Sequence, residues 1–222
     1  MDKQVILGVG MGRCGLYSFS KLVALQNFTN MTWNFGNLPI INWEYNHEDF
    51  EKICYWLEHR DSNVVGDASH FLLNYIEPIT KKYPNVKVVW LKRAFEETVI
   101  SFKNFIYKMT ETEFPNLWTY TERTHLQLAQ SSNPLYFYNL YNTFPTFEEF
   151  ADVNECLNFY ADYYRMQMEN LLLDHGGMIY EAEVEWLSDP LQSKHMLRWL
   201  GFEDPLFCEY HLDNPNVSGA KK

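Results

Sequence analysis

The segment Val5-Ile-Leu-Gly-Val-Gly-Met-Gly-Arg-Cys-Gly-Leu-Tyr-Ser-Phe19 constrains the fold most. A β-branched apolar run enters four glycines spread over eight residues, and Phe19, Leu22, Val23 and Leu25 follow at helical spacing. This pattern predicts a strand, a tight loop and the N-terminus of a helix. Unpaired N–H groups and the positive end of the helix make such a loop an anion site. Glycine lets backbone approach the anion closely, and Arg13 adds a planar cationic donor.

Three known loop patterns compete here. Gly10-x-Gly12-x-x-Gly15 fits a dinucleotide fingerprint, but no Asp or Glu occurs between Arg13 and Glu44 to hold a ribose. Gly10-x-x-x-x-Gly15 begins a Walker A loop, but Leu16 and Tyr17 stand where Lys and Ser/Thr belong. A cysteine phosphatase loop needs Arg where Ser20 stands. What remains is a phosphate loop of Gly12, Arg13, Cys14, Gly15, Leu16, Tyr17 and Ser18 with no metal ligand; a plain tight turn is the structural alternative.

A second segment adds to this. Val86-Lys-Val-Val-Trp-Leu91 predicts a strand ending in Lys92-Arg93, and Glu96-Glu97 open a helix that carries Ser101. In an open parallel sheet, ligands bind at the carboxyl ends of strands. Arg93 stands at such an end, with Ser101 two helical turns on.

These segments resemble the PAPS-dependent sulfotransferases, whose donor is 3′-phosphoadenosine-5′-phosphosulfate. Gly8 to Phe19 resembles their 5′-phosphosulfate loop. Trp90 to Ser101 is similar to their 3′-phosphate motif, with Arg93 and Ser101 at the family spacing. Gly66-Asp-Ala-Ser-His-Phe71 stands where the family carries a catalytic segment. Met178-Ile-Tyr-Glu181, Leu187-Ser-Asp-Pro190 and Leu197 to Phe202 resemble its late strand and helix. Leu16 and Tyr17 depart from the two usual hydroxyl residues, and Ser18 is the nearest substitute. The late Arg-Lys-Gly loop has no clear counterpart; Asn216 to Lys222 is the candidate, or else a basic tail.

The resemblance implies a P-loop-like α/β fold, a three-layer sandwich with a central parallel sheet. It also implies sulfuryl transfer from PAPS to a hydroxyl or amine without a metal, leaving adenosine 3′,5′-bisphosphate (PAP). The bridging oxygen gains negative charge as the S–O bond breaks, and Arg13 is the group to meet it. The acceptor must lose a proton. His70 is the first candidate for the base, with Asp67 its rival and Glu44 the outsider. A divergent nucleotide kinase and a catalytically silent nucleotide-binding module are the alternatives.

Composition bounds the rest. A length of 222 residues suits one domain over 1–222, with 46% apolar and 17% aromatic residues as core material. The aromatic but irregular stretch from about 105 to 146 predicts a cap or acceptor loop. No apolar run reaches the length of a membrane span, and no signal-peptide pattern opens the chain. Cys14, Cys54, Cys156 and Cys208 form no CxxC pair and predict reduced thiols in a cytoplasmic protein. Cys14 is either a reactive thiol at a helix N-terminus or the small residue the loop requires. The net charge of −11 argues against nucleic-acid partners and requires Arg13, Lys92 and Arg93 to converge if a polyanion is bound. The acceptor, a small molecule, glycan or lipid, and the oligomeric state are left open.

Overall fold

The computed structural model describes residues 3–26, 29–33, 41–110 and 153–207. In chain order these form β1 (Gln4–Val9), α1 (Leu16–Ala24), β2 (Thr29–Trp33), α2 (His47–Glu58), β3 (Val64–Ala68), a 3-10 turn (His70–Tyr75) and α3 (Ile76–Lys82). Then follow β4 (Val86–Lys92), α4 (Phe95–Thr110), α5 (Val153–His175), β5 (Ile179–Glu183), a 3-10 turn (Val184–Ser188) and α6 (Pro190–Trp199).

The five strands are all parallel, in the order β2-β3-β1-β4-β5. Side chains alternate along each strand. Val5, Leu7, Val9, Val88 and Trp90 enter one core with residues of α2, α3 and α5. Ile6, Val89, Leu91 and Ala182 enter the other, with α1 and α6. Helices therefore cover both faces, and the three-layer α/β sandwich expected from the sequence is present. Among the described residues no helix is long and apolar enough to cross a membrane.

Strand order fixes where a ligand site forms. The chain leaves β1 toward β2 and leaves β4 toward β5, so the connections diverge between adjacent strands β1 and β4. A crevice opens at the carboxyl ends where such connections part. The glycine loop and Lys92-Arg93 both lie there.

Several boundaries differ from the sequence reading. The strand Thr29–Trp33 and helix α3 carry too little apolar periodicity to be recognised. Helix α4 runs on to Thr110 because no Gly or Pro interrupts it, so residues 105–110, expected to be irregular, are helical; residues 111–146 lie outside the described residues. Helix α5 is described from Val153. The last helical region divides at Asp189, between the 3-10 turn Val184–Ser188 and α6. The residue before a proline is biased toward extended backbone. Asp189 adopts it, and its side chain caps the N–H groups of Leu191 and Gln192. Asn216 to Lys222 lies outside the described residues.

Candidate anion site at the carboxyl edge of the sheet

The glycine loop is built with little slack. A Cβ on Gly10 would collide with the Cys14 sulfur and the Leu91 carbonyl. Gly15 precedes α1 with φ 90°, a left-handed conformation that suits glycine. Arg13 is also left-handed, with φ 70°; a non-glycine residue held there is strained by its surroundings. The N–H of Cys14 donates to the Met11 carbonyl at 3.2 Å, which closes the turn.

Two buried phenols support this loop from α5. The Gly10 N–H donates to the Tyr164 hydroxyl at 2.8 Å, and the Gly12 N–H to the Tyr160 hydroxyl at 3.4 Å. The Tyr164 hydroxyl in turn donates to the His70 carbonyl at 3.1 Å. Burial pushes both phenols well above their ordinary pKa, so they remain neutral. Neither Tyr160 nor Tyr164 is marked as a site residue by the sequence alone. The available signal was their polar tips, since a buried tyrosine hydroxyl usually has a hydrogen-bond partner.

Folding joins the two phosphate candidates. Arg13 Nε donates to Ser101 Oγ at 3.2 Å, and Arg93 Nη1 donates to the Arg13 carbonyl at 3.2 Å. Arg93 Nε also pairs with Glu97 at 3.1 Å. Lys92 turns instead toward β5, where Glu181 and Glu183 lie 3.0 and 3.4 Å away. Burial works against the Lys92 charge, but these acids outweigh it and its pKa is raised. The expected convergence of three cations is thus partial: Arg13 and Arg93 meet, while Lys92 is engaged at the sheet edge.

A cleft of about 700 Å³ opens beside them, with Met11, Cys14, Arg93 and Thr98 on one wall and α5 on the other. Its cations, Lys92, Arg93 and Arg165, are balanced by Asp162, Glu169 and Glu181. Cys14 is buried, and burial pushes its thiol up to about 12 against the pull of Arg93 and Arg13. It packs as the small residue of the loop, and its burial disfavours a thiolate. Its neutrality also suits an anion, since no thiolate would repel it.

Of the remaining candidates, Leu16 is buried against the α6 side of the sheet, Tyr17 is partly exposed beneath Lys21, and Ser18 is half-buried in the first turn of α1. His70 and Asp67 are 3% and 2% exposed. Asp67 accepts a hydrogen bond from Ser69, and the His70 ring meets Phe71 edge-on at 5.5 Å. Glu44 lies across α5, in a different cleft. Among the described residues no three His, Cys, Asp or Glu side chains gather as a metal site.

No family model matches the chain, and no curated protein matches it in sequence. Solved structures do. A sulfotransferase from Alicyclobacillus acidocaldarius superposes with a TM-score of 0.53 at 14% identity, over 91% of this chain and 83% of that one. The mouse sulfotransferase SULT7A1, complexed with PAP, gives 0.51 at 13% identity, over 98% of this chain; the match spans 62% of the mouse protein. At these identities the likeness is one of architecture, and on that ground the chain has the sulfotransferase fold.

Proposed function

We propose that the protein transfers a sulfuryl group from PAPS to an O–H or N–H acceptor. The observation that carries this reading is the junction of Arg13, Arg93 and Ser101 at the divergence of β1 and β4. Residues 80 and more positions apart are joined there, in a fold shared with sulfotransferases.

The donor supplies an activated sulfuryl group on a phosphosulfate anhydride. Gly12 to Ser18 offer backbone to its 5′ side, and Arg13 meets the charge that develops on the leaving oxygen. Arginine stays protonated near neutrality, so this is electrostatic help and not proton delivery. Arg93 and Ser101 hold the 3′-phosphate. To do so Arg93 exchanges a solvent-exposed partner, Glu97, for phosphate. An exposed ion pair contributes about 0–1 kcal/mol, whereas a charge-assisted bond to a partly buried phosphate contributes about 1.5–3 kcal/mol. The exchange therefore favours the ligand. His70 takes the acceptor's proton, with Asp67 and then Glu44 next in order.

A kinase reading finds less support, because Leu16 and Tyr17 replace the lysine and the metal-binding hydroxyl of a Walker A loop. A thermal-shift panel tests the choice. Stabilisation by adenosine 3′,5′-bisphosphate without added metal is expected. Stabilisation by ATP only with Mg²⁺, and none by the bisphosphate, would overturn the reading. Turnover with labelled donor and a broad acceptor panel then separates an enzyme from a silent binding module.

A further inference from the structure

A second cleft, of about 540 Å³, lies on the opposite flank of α5, between that helix, the His70–Tyr75 turn and residues 43–45. Four aromatic side chains line it, Trp43, Tyr45, Phe159 and Tyr163, together with the carboxylates of Glu44 and Glu77. Among the described residues that line it there is no Lys, Arg or His. Glu77 is already engaged by Lys81 at 2.6 Å, with His175 also nearby. Glu44 has no ion-pair partner among the described residues. It faces Tyr163, whose phenol is raised by burial first and by the Glu44 charge second.

The segment that presents Glu44 is held firmly. The Asp49 carboxylate accepts from the backbone N–H and side-chain amide of Asn42 at 2.9 and 2.8 Å. Asn74 donates to the Trp43 carbonyl at 2.7 Å, and the Tyr75 hydroxyl lies 3.2 Å from the carbonyls of both Asn42 and Glu44. Yet Tyr45 and Phe159 remain 47% and 43% exposed. Partly exposed aromatic side chains beside a carboxylate that has no ion pair among the described residues, on backbone fixed in advance, make a preorganised surface. Binding to such a surface costs little further ordering.

We propose that this cleft binds an organic ammonium ion, a protonated or quaternary amine on an aromatic or alkyl body. Glu44 meets the charge, and the rings of Tyr45, Phe159 and Tyr163 cover the body and add cation–π attraction. The net charge of −11 favours approach of a cation. A divalent metal fits poorly, because it asks for several oxygen ligands and one of the two carboxylates is taken.

Calorimetric titration of the full chain tests this, with phenethylammonium as probe and 2-phenylethanol as its neutral counterpart. The ammonium should bind at least about fivefold more tightly than the alcohol. Glu44→Gln should weaken the ammonium about tenfold and leave the alcohol unchanged, while Phe159→Ala should weaken both. Glu44 and Phe159 are both exposed, so the variants should fold. Absence of ammonium binding, equal affinity for the two probes, or indifference of the ammonium to Glu44→Gln would each overturn the proposal. No sulfuryl donor is present, so failure here leaves the transfer reading standing. Failure of the bisphosphate to bind leaves this site standing.

Discussion

Helix α5 divides two clefts of opposite character. Asn158, Asp162, Arg165 and Glu169 face the first, Phe159, Tyr163, Gln167 and Leu171 face the second, and Tyr160 and Tyr164 are buried between them. These are three faces of one helix with 3.6 residues per turn. The first cleft is shaped by backbone, a glycine loop and a strand end, and its cations stand paired with acids. The second is shaped by side chains and presents a carboxylate with no cation beside it among the described residues. The pairing matters: each cation lining the first cleft already has a partner, so an anion binding there would have to displace it. In the second cleft Glu44 has no ion pair among the described residues to give up.

The largest expected effect tests whether chemistry belongs to the first cleft. His70→Ala should cut turnover about 10²- to 10⁴-fold, the range for a lost general base, with adenosine 3′,5′-bisphosphate binding nearly unchanged. Because His70 is buried, melting must be followed alongside. Turnover per folded molecule near that of the wild type would move the base to Asp67, or across α5 to Glu44, and with Glu44 the separation of roles would collapse.

Next in size, Arg93→Ala should weaken the bisphosphate roughly 10- to 100-fold and adenosine 5′-monophosphate much less. Equal weakening would mean that Arg93 only braces the loop through the Arg13 carbonyl. Phenethylammonium affinity should not move in this variant.

A smaller effect probes the wall between the clefts. Tyr164→Phe keeps the packing but leaves the Gly10 N–H and the His70 carbonyl without their partner. Chemical denaturation should show a loss of about 1–3 kcal/mol. A loss within error would show that these groups find other partners and that the bridge is dispensable.

The smallest effect sharpens the second cleft alone. Burial raises the pKa of Asp49, but the Asn42 and Asn46 hydrogen bonds and Lys52 outweigh it, and its pKa is lowered below 3.8. A lowered folded pKa gives stability that is present above the unfolded value and lost as pH falls through the folded one. The difference in denaturation midpoint between wild type and Asp49→Asn should therefore shrink as pH drops below about 4. A difference that stays constant to pH 3 would show that Asp49 does not hold the Asn42–Asn46 segment through its charge.

Much of the first cleft was legible before any coordinates. Four glycines after a β-branched run, and a strand closing on Lys92-Arg93, mark local structure because strand, loop and helix signals are written in neighbouring residues. Strands β1 and β4 and helices α1 and α4 follow from the same kind of signal, and so does the Cys14 alternative that packing then decided. The second cleft carried no such mark. Its walls come from residues 43–45, 73–77 and 159–171, each ordinary in its own stretch of chain.

The sequence by itself determined that a glycine-loop strand–helix unit exists, that strands alternate with helices, and that Arg93 follows a strand end. Only the tertiary structure decided which strand ends are neighbours. Parallel strands are joined by crossovers, so adjacency in the sheet is a long-range choice made by burial on both faces. That choice put Arg13 against Ser101 and Arg93, sent Lys92 to Glu181 and Glu183, and set two tyrosines beneath the glycine loop. Local propensity cannot encode such contacts, because hydrogen bonds and ion pairs depend on distance in space and not on separation along the chain.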